Sequence, residues 1–288
     1  MPLVSFLCKM MGMDEKVKPS NRSSTRSSRV GKSRSLPRKA YGGQVKRKKI
    51  QEKLESPPPA SPVLSPIVTL IVGRDERLFV AHEDILCHSR YFQSILRDGF
   101  VEGSMNKSVT LLEEEPEALS CVLEFLYKGD YYPRLLRNEG TNSWQLENSQ
   151  NAIGDPGSRG SSEPTMFHSG VGDIVLRDTV VYCTAEKYGL EGLKRLALRK
   201  QGLQRGIPIS VILRSARFAY DNTPDSEYRL RAHYLAMIIR TRQIFKDSGT
   251  MQFEMETGHT FFFDLFVAMC NHMDDLEQVR TNDSPKAT

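Results

Sequence analysis

The chain has 288 residues, 39% of them hydrophobic, with a mean hydropathy of −0.42, and no apolar run approaches the ~18 residues of a membrane-spanning helix, which excludes one. The net charge of +5 averages two unlike parts: residues 1–60 carry 15 Lys/Arg against 4 Asp/Glu, a net of +11, and the remainder carries 25 against 31, a net of −6. Five scattered cysteines, an odd number with no Cys-x-x-Cys, exclude a disulfide framework and predict free thiols in a reducing compartment, nucleus or cytoplasm.

Residues 1–63 are basic, rich in Ser and Pro, and nearly empty of periodic apolar positions. Such a segment cannot bury enough surface to offset its ordering entropy, so it is predicted to be disordered. The opening Pro2-Leu-Val-Ser-Phe-Leu-Cys8 is too short and lacks the basic lead of a secretory leader. Lys46, Arg47, Lys48 and Lys49 form a basic cluster that reads either as a nuclear-import signal or as a solvated tail. Nucleic-acid binding is disfavoured, because Phe6 and Tyr41 are the tail's two aromatics and leave little to stack on bases. Ser56-Pro57, Ser61-Pro62 and Ser65-Pro66 are candidate sites for proline-directed phosphorylation.

Ile67-Val-Thr-Leu-Ile-Val72 is a β-branched run between Pro66 and Gly73, which predicts a strand; Leu78-Phe-Val-Ala81 returns as its hairpin partner. Ile85, Leu86, Phe92, Ile95 and Leu96 recur at helical spacing, ending at Asp98-Gly99. Val109-Thr-Leu-Leu112 predicts a third strand. Pro116 opens a helix with a Leu119, Val122, Leu123, Leu126 stripe that ends at Gly129, and the acidic run from Glu113 to Glu117 suits its positive start. Residues 134–172, rich in Gly, Ser and Asn, read as a structureless insertion looping out of the fold. Beyond it, Ile209, Ile212, Leu213, Ala216 and Tyr220 share one helical face, Asn222-Thr-Pro-Asp turns the chain, and Asp225 or Ser226 is placed to cap the next helix, whose stripe is Tyr228, Leu235, Ile238 and Ile239. Phe261-Phe-Phe-Asp-Leu-Phe-Val-Ala-Met269 is expected to pack back on that helical pair.

The order of these motifs carries a resemblance. Pro66-Ile-Val-Thr-Leu-Ile-Val-Gly73, Phe79-Val-Ala-His82, Ile85-Leu-Cys-His-Ser-Arg-Tyr-Phe92, Gly99-Phe-Val-Glu102, Leu123-Glu-Phe-Leu-Tyr-Lys-Gly129 and, after the insertion, Val180-Val-Tyr-Cys-Thr-Ala-Glu-Lys-Tyr-Gly-Leu-Glu-Gly-Leu-Lys194 resemble the BTB/POZ domain, especially its fungal branch. The resemblance covers roughly 67–132 and 173–201 and implies an α+β fold: a small three-stranded sheet with clustered helices, here followed by an α-helical region. The organisation it predicts is a tail over 1–63, the domain over 64–201 interrupted by the insertion at 134–172, a helical region over 202–280, and a disordered end over 281–288.

The same resemblance implies a protein-binding role with protein partners, and oligomerisation through the domain. Phe100 and Glu102 resemble the hydrophobic-x-Glu motif on the cullin-facing side of adaptors in this family, which implies a cullin scaffold and a client. The alternative is that Phe100 packs beneath the preceding helix and Glu102 is solvated. Ile67 stands where many members have Asp, and Val80 where the homodimeric repressors have a basic residue. The proline spacer occupies the place of the helix those dimers exchange, which weighs against homodimerisation by that route.

Catalytic patterns are missing from the sequence: no Gly-x-Ser-x-Gly, no His-Glu-x-x-His and no Gly-Lys-Ser/Thr loop. Gly170-Val-Gly172 lacks the third glycine and the preceding strand of a dinucleotide site. His82 and His88 beside Cys87, and Cys270 with His259 and His272, are thin as metal ligands and read as structural. The expectation is therefore a non-enzymatic interaction module with no cofactor and no metal. Its named rival is a nuclear, chromatin- or nucleic-acid-associated regulator recruited through the basic tail.

Overall fold

The computed structural model describes residues 65–98, 107–138, 140, 142–147 and 163–283. Strand β1 (Ile67–Val72) turns through Gly73 and Glu76, both at positive φ, into the antiparallel β2 (Arg77–His82). Helices α1 (Glu83–Leu86) and α2 (Arg90–Asp98) carry the chain to β3 (Lys107–Leu111), which joins β1 in parallel and gives the order β2-β1-β3. Period-two alternation sends Val68, Leu70, Val72, Ala81, Val109 and Leu111 into the core. Ile67, Leu78 and Val80 remain exposed on the opposite face. Gly73 is required by its φ of 73° and by crowding, since a Cβ there would lie 3.0 Å from Pro116 Cγ.

Pro116 starts α3 (Pro116–Lys128), and Gly129 closes it in the left-handed conformation, its N–H reaching Phe125 O at 2.7 Å. The acidic run at its start does more than favour the helix dipole. Glu115 caps no helical N–H with its side chain and instead accepts from Ser169 N at 2.7 Å and Ser169 Oγ at 2.6 Å. Glu114 pairs with Lys187 at 2.5 Å.

The sequence reading of 134–172 is corrected at the two ends of that stretch, and residues 148–162 lie outside the described residues. At one end β4 (Leu135–Asn138) pairs with β5 (Ser143–Leu146), and at the other β6 (Thr165–His168) pairs with β7 (Asp173–Leu176), which follows directly after the stretch. Gly170 and Gly172 make the turn of the second, so a strand does precede them, but it belongs to a hairpin and not to a nucleotide site. Both hairpins are held by tertiary contacts: Arg199 lies 5.0 Å over Trp144, Met166 and Val175 are buried, and His168 packs on Phe218.

The motif from Val180 to Lys194 spans two helices, α4 (Arg177–Lys187) and α5 (Glu191–Gln201), parted by Gly189 at φ 68°. Helix α4 is buried on all sides from Arg177 to Ala185, which is why it shows no amphipathic stripe. Then follow α6 (Ile209–Asp221), α7 (Arg229–Arg240), the short α8 (Arg242–Lys246) and α9 (Gly249–Glu256), and the long α10 (Thr260–Asp283). Neither Asp225 nor Ser226 caps α7: Asp225 pairs with Arg231 at 2.8 Å, and the Arg229 N–H turns to Glu227 at 3.3 Å. Helix α10 continues to Asp283, so residues 281–283, read as part of the disordered end, are helical. Its Phe261, Leu265 and Ala268 pack back on α6 and α7 as expected.

One hydrophobic cluster runs without a break from the sheet through α4 and α5 to α6, α7 and α10. At its edge, burial lowers the His233 pKa to about 4, and Arg240 pushes the same way. An unfolded histidine titrates near 6.5. Between those values the unfolded chain binds a proton that the folded chain refuses, so this contribution is complete above pH ~6.5 and lost as pH falls towards ~4, by up to about 3 kcal/mol. His233→Gln should flatten that part of a urea-unfolding profile; an unaltered slope would remove His233 from the account.

Candidate protein-interaction surface

Three features of the described residues bear on what this molecule can bind. The first is the frame around the segment between α2 and β3, which carries Phe100 and Glu102. Those two residues lie outside the described residues, as do Lys46, Arg47, Lys48 and Lys49. Both flanks of the segment are fixed. Arg97 lies in the last turn of α2, and Lys107, the first residue of β3, pairs with Glu83 at the start of α1 at 2.7 Å. Glu83, Arg97, Lys107 and Asp84 all act electrostatically on Cys87, whose thiol is pushed up by burial first and by Glu83 next. The segment therefore leaves and re-enters the fold beside α1, within one small charged neighbourhood.

The second feature is the outer sheet face. Register places Thr69 against Val80 and Ile71 against Leu78, so Ile67, Ile71, Leu78 and Val80 share the face turned from the core. Leu78 is 70% exposed and Val80 67%. His82, at the end of β2, bonds through Nδ1 to Tyr127 Oη at 2.7 Å, and Tyr127 Oη also accepts the His82 N–H at 2.9 Å. That pair ties β2 to the end of α3 and gives His82 a structural role. His88 Nδ1 is likewise engaged, 3.1 Å from Ile85 O.

The third feature fixes the C-terminal helices to the sheet-bearing half. Lys194, on α5 and 2% exposed, donates to Glu186 of α4, to Glu191 at 2.8 Å and to Glu227 in the α6–α7 connection. Tyr182 Oη also donates to Glu227, at 2.9 Å. Burial works to lower the Lys194 pKa, but its bonds to Glu186, Glu191 and Glu227 raise it on balance. The same bonds hold Glu191 below the usual carboxylate range, and Lys194 with Tyr182 hold Glu227 there against its own burial. These three carboxylates are the one group among the described residues whose spacing would suit a metal ion, but the ammonium already fills the space between them.

Sequence reasoning missed this cluster. The available signal was the placement of Lys194 and Lys200 on the inward stripe of α5 with Leu193 and Ala197. Lys200 is fully buried, bonded to the carbonyls of Tyr131 and, at 2.8 Å, Pro133, and paired with Asp130 at 2.5 Å. The Cys270, His259 and His272 suggestion does not assemble: His259 Nε2 faces Asp221 at 3.0 Å, and its Nδ1 accepts from Phe261 N at 3.1 Å.

Comparison with protein families matches residues 68–139 to the BTB/POZ domain. The match takes in the sheet, α1 to α3 and β4. Comparison with curated proteins finds no match.

Lys194→Met should lower stability at pH 7 by about 3 kcal/mol, because it strands buried carboxylates. In the natural chain, the stability supplied by Glu191 and Glu227 is present above their unfolded pKa near 4.5 and is lost as pH falls through their lowered folded values. Without the ammonium, the carboxylates repel and titrate higher, so acidification towards pH ~4.5 should stabilise the variant. Urea unfolding across that range reads the sign; parallel profiles for both chains would refute the clamp.

Proposed function

We propose that this chain, which carries a BTB/POZ domain, is a non-enzymatic adaptor that links a client protein to a cullin scaffold of a ubiquitin ligase. A BTB/POZ domain is a protein–protein interaction module, and that coarser role follows from the family match. The observation that carries the finer reading is the pairing of the hydrophobic-x-Glu motif at Phe100 and Glu102 with a helical extension seated on the domain. Phe100 would supply an aromatic anchor and Glu102 the charge beside it. Helices α6 and α7 stand on α4 and α5, held by Lys194 and by the Leu176 N–H bond to Ser215 Oγ at 2.9 Å, so they can extend a contact or hold the client.

Affinity purification of the full chain should recover a cullin, and Phe100→Ala with Glu102→Ala should reduce the recovery at least about tenfold. Recovery unchanged by the double substitution would overturn the residue assignment. No cullin association at all would overturn the adaptor reading.

The charge division between residues 1–60 and the remainder supports a second reading, a nuclear regulator recruited to nucleic acid through Lys46, Arg47, Lys48 and Lys49. That reading requires duplex DNA binding that weakens steeply with salt and disappears without residues 1–60. Among the described residues, no helix is long and apolar enough to cross a membrane.

A further inference from the structure

The connection between α6 and α7 and the first turns of α10 line a cleft of about 770 Å³, within the size range of ligand sites. Thr260, Phe263 and Asp264 reach it from α10, at the i, i+3, i+4 spacing that puts side chains on one face of a helix. Tyr220 reaches it from the end of α6, and Tyr228 and Arg231 from the start of α7.

The buried part of this cleft already holds a guanidinium. The Arg231 side chain, 11% exposed, lies 4.5 Å over the Tyr220 ring and pairs with Asp225 at 2.8 Å. It also donates to the carbonyls of Tyr220 at 3.2 Å and Thr223 at 2.6 Å, and to Thr223 Oγ1 at 3.3 Å. An aromatic face and a carboxylate are thus the means by which the cleft holds a cation. The exposed part repeats both without one. Phe263 is 69% exposed. Asp264 accepts from Tyr220 Oη at 3.0 Å through Oδ2, and among the described residues no basic side chain pairs with it. Tyr228 adds a further ring to the lining.

An anion does not suit this place, because Arg231 spends its donors on the protein and two carboxylates would repel the ligand. An ammonium would meet the carboxylate, but a planar guanidinium also stacks on an aromatic face and forks a carboxylate with two N–H groups. The chain beyond residue 60 carries a net charge of −6, a field that draws basic segments towards it. We propose that this cleft binds an arginine in a basic, extended segment of a client protein, its guanidinium stacked on Phe263 and paired with Asp264. The cleft is larger than one side chain, so residues flanking the arginine seat with it. The binding rests on the adaptor reading for its partner being a client, but it is measured without a cullin, so either can fail alone.

The test titrates the full chain into three fluorescein-labelled nonapeptides of Gly and Ser that carry two central arginines, two lysines or two glutamates. Fluorescence anisotropy should give the arginine peptide a dissociation constant below ~1 mM, the lysine peptide one at least about threefold weaker, and the glutamate peptide no binding. Asp264→Asn, which still accepts from Tyr220 Oη, and Phe263→Ser should each weaken the arginine peptide at least about fivefold, with the far-ultraviolet circular dichroism unchanged. Phe266→Ser, at an exposed position of α10 outside the cleft, should leave the affinity as it was. No binding of the arginine peptide overturns the proposal. Binding that survives both cleft substitutions overturns it as well, because it would report only the net charge, and equal affinity for the lysine peptide overturns the choice of arginine.

Discussion

The placement of everything after α5 depends on one buried ammonium. Lys194 reaches carboxylates from three places in the chain: the end of α4, the start of its own helix, and the connection before α7. Neither partner set would be tolerated alone. A desolvated lysine without acids would lose its proton or unfold its surroundings, and three converging carboxylates without a cation would repel. The geometry thus commits the α6–α7 connection to one position on α4 and α5. Thr179 of α4, bonded to Gln201 of α5 and to Tyr234 of α7, reinforces the same seam.

A second buried lysine serves the half that bears the sheet. Lys200 gathers the carbonyls of Tyr131 and Pro133 and the carboxylate of Asp130, while Tyr131 Oη donates to Asp178 at 2.8 Å. Helix α5 therefore has one lysine facing the segment after α3 and another facing the C-terminal helices. Its apolar positions give it a place in the core, and its lysines determine what lies on either side. Burial holds the Lys200 pKa below the usual lysine value even though Asp130 opposes that shift, which marks how little water reaches it.

Local signals were enough for β1, α3 and the two stripes of α6 and α7, because each is delimited by residues with strong backbone preferences. Pro66 and Gly73 bound a β-branched run, and Pro116 and Gly129 bound a helix. Hairpin β6–β7 escaped for the opposite reason. Four-residue strands around a Gly-rich turn carry almost no period, and the contacts that order them, Glu115 to Ser169 and Met166 into the core, come from residues distant in sequence. The capping expectation for Asp225 failed because the helix starts later, with Tyr228 at its cap position, and the Asp225 carboxylate pairs with Arg231 instead. At the interaction surface, Phe100 and Glu102 stood out by motif, whereas the clamp did not. Glu191 is visible three residues before Lys194, but Glu227 is thirty-three residues beyond it, and a sequence shows no such pairing.

The continuous core beneath the sheet and the C-terminal helices has a consequence for how the molecule reports binding. Two halves with separate cores would open independently, and a ligand on one would protect only the amides of that one. Here Tyr188, Leu193 and Leu213 belong to a single buried cluster, so exposing one side means abandoning contacts on the other. The lowest-lying opening that bares the core is then shared. A protein gripping α6 or α7 would slow hydrogen exchange in β1 as well, with no contact near it and no change in its shape, because binding energy gained anywhere on a cooperative unit is subtracted from every opening that breaks it.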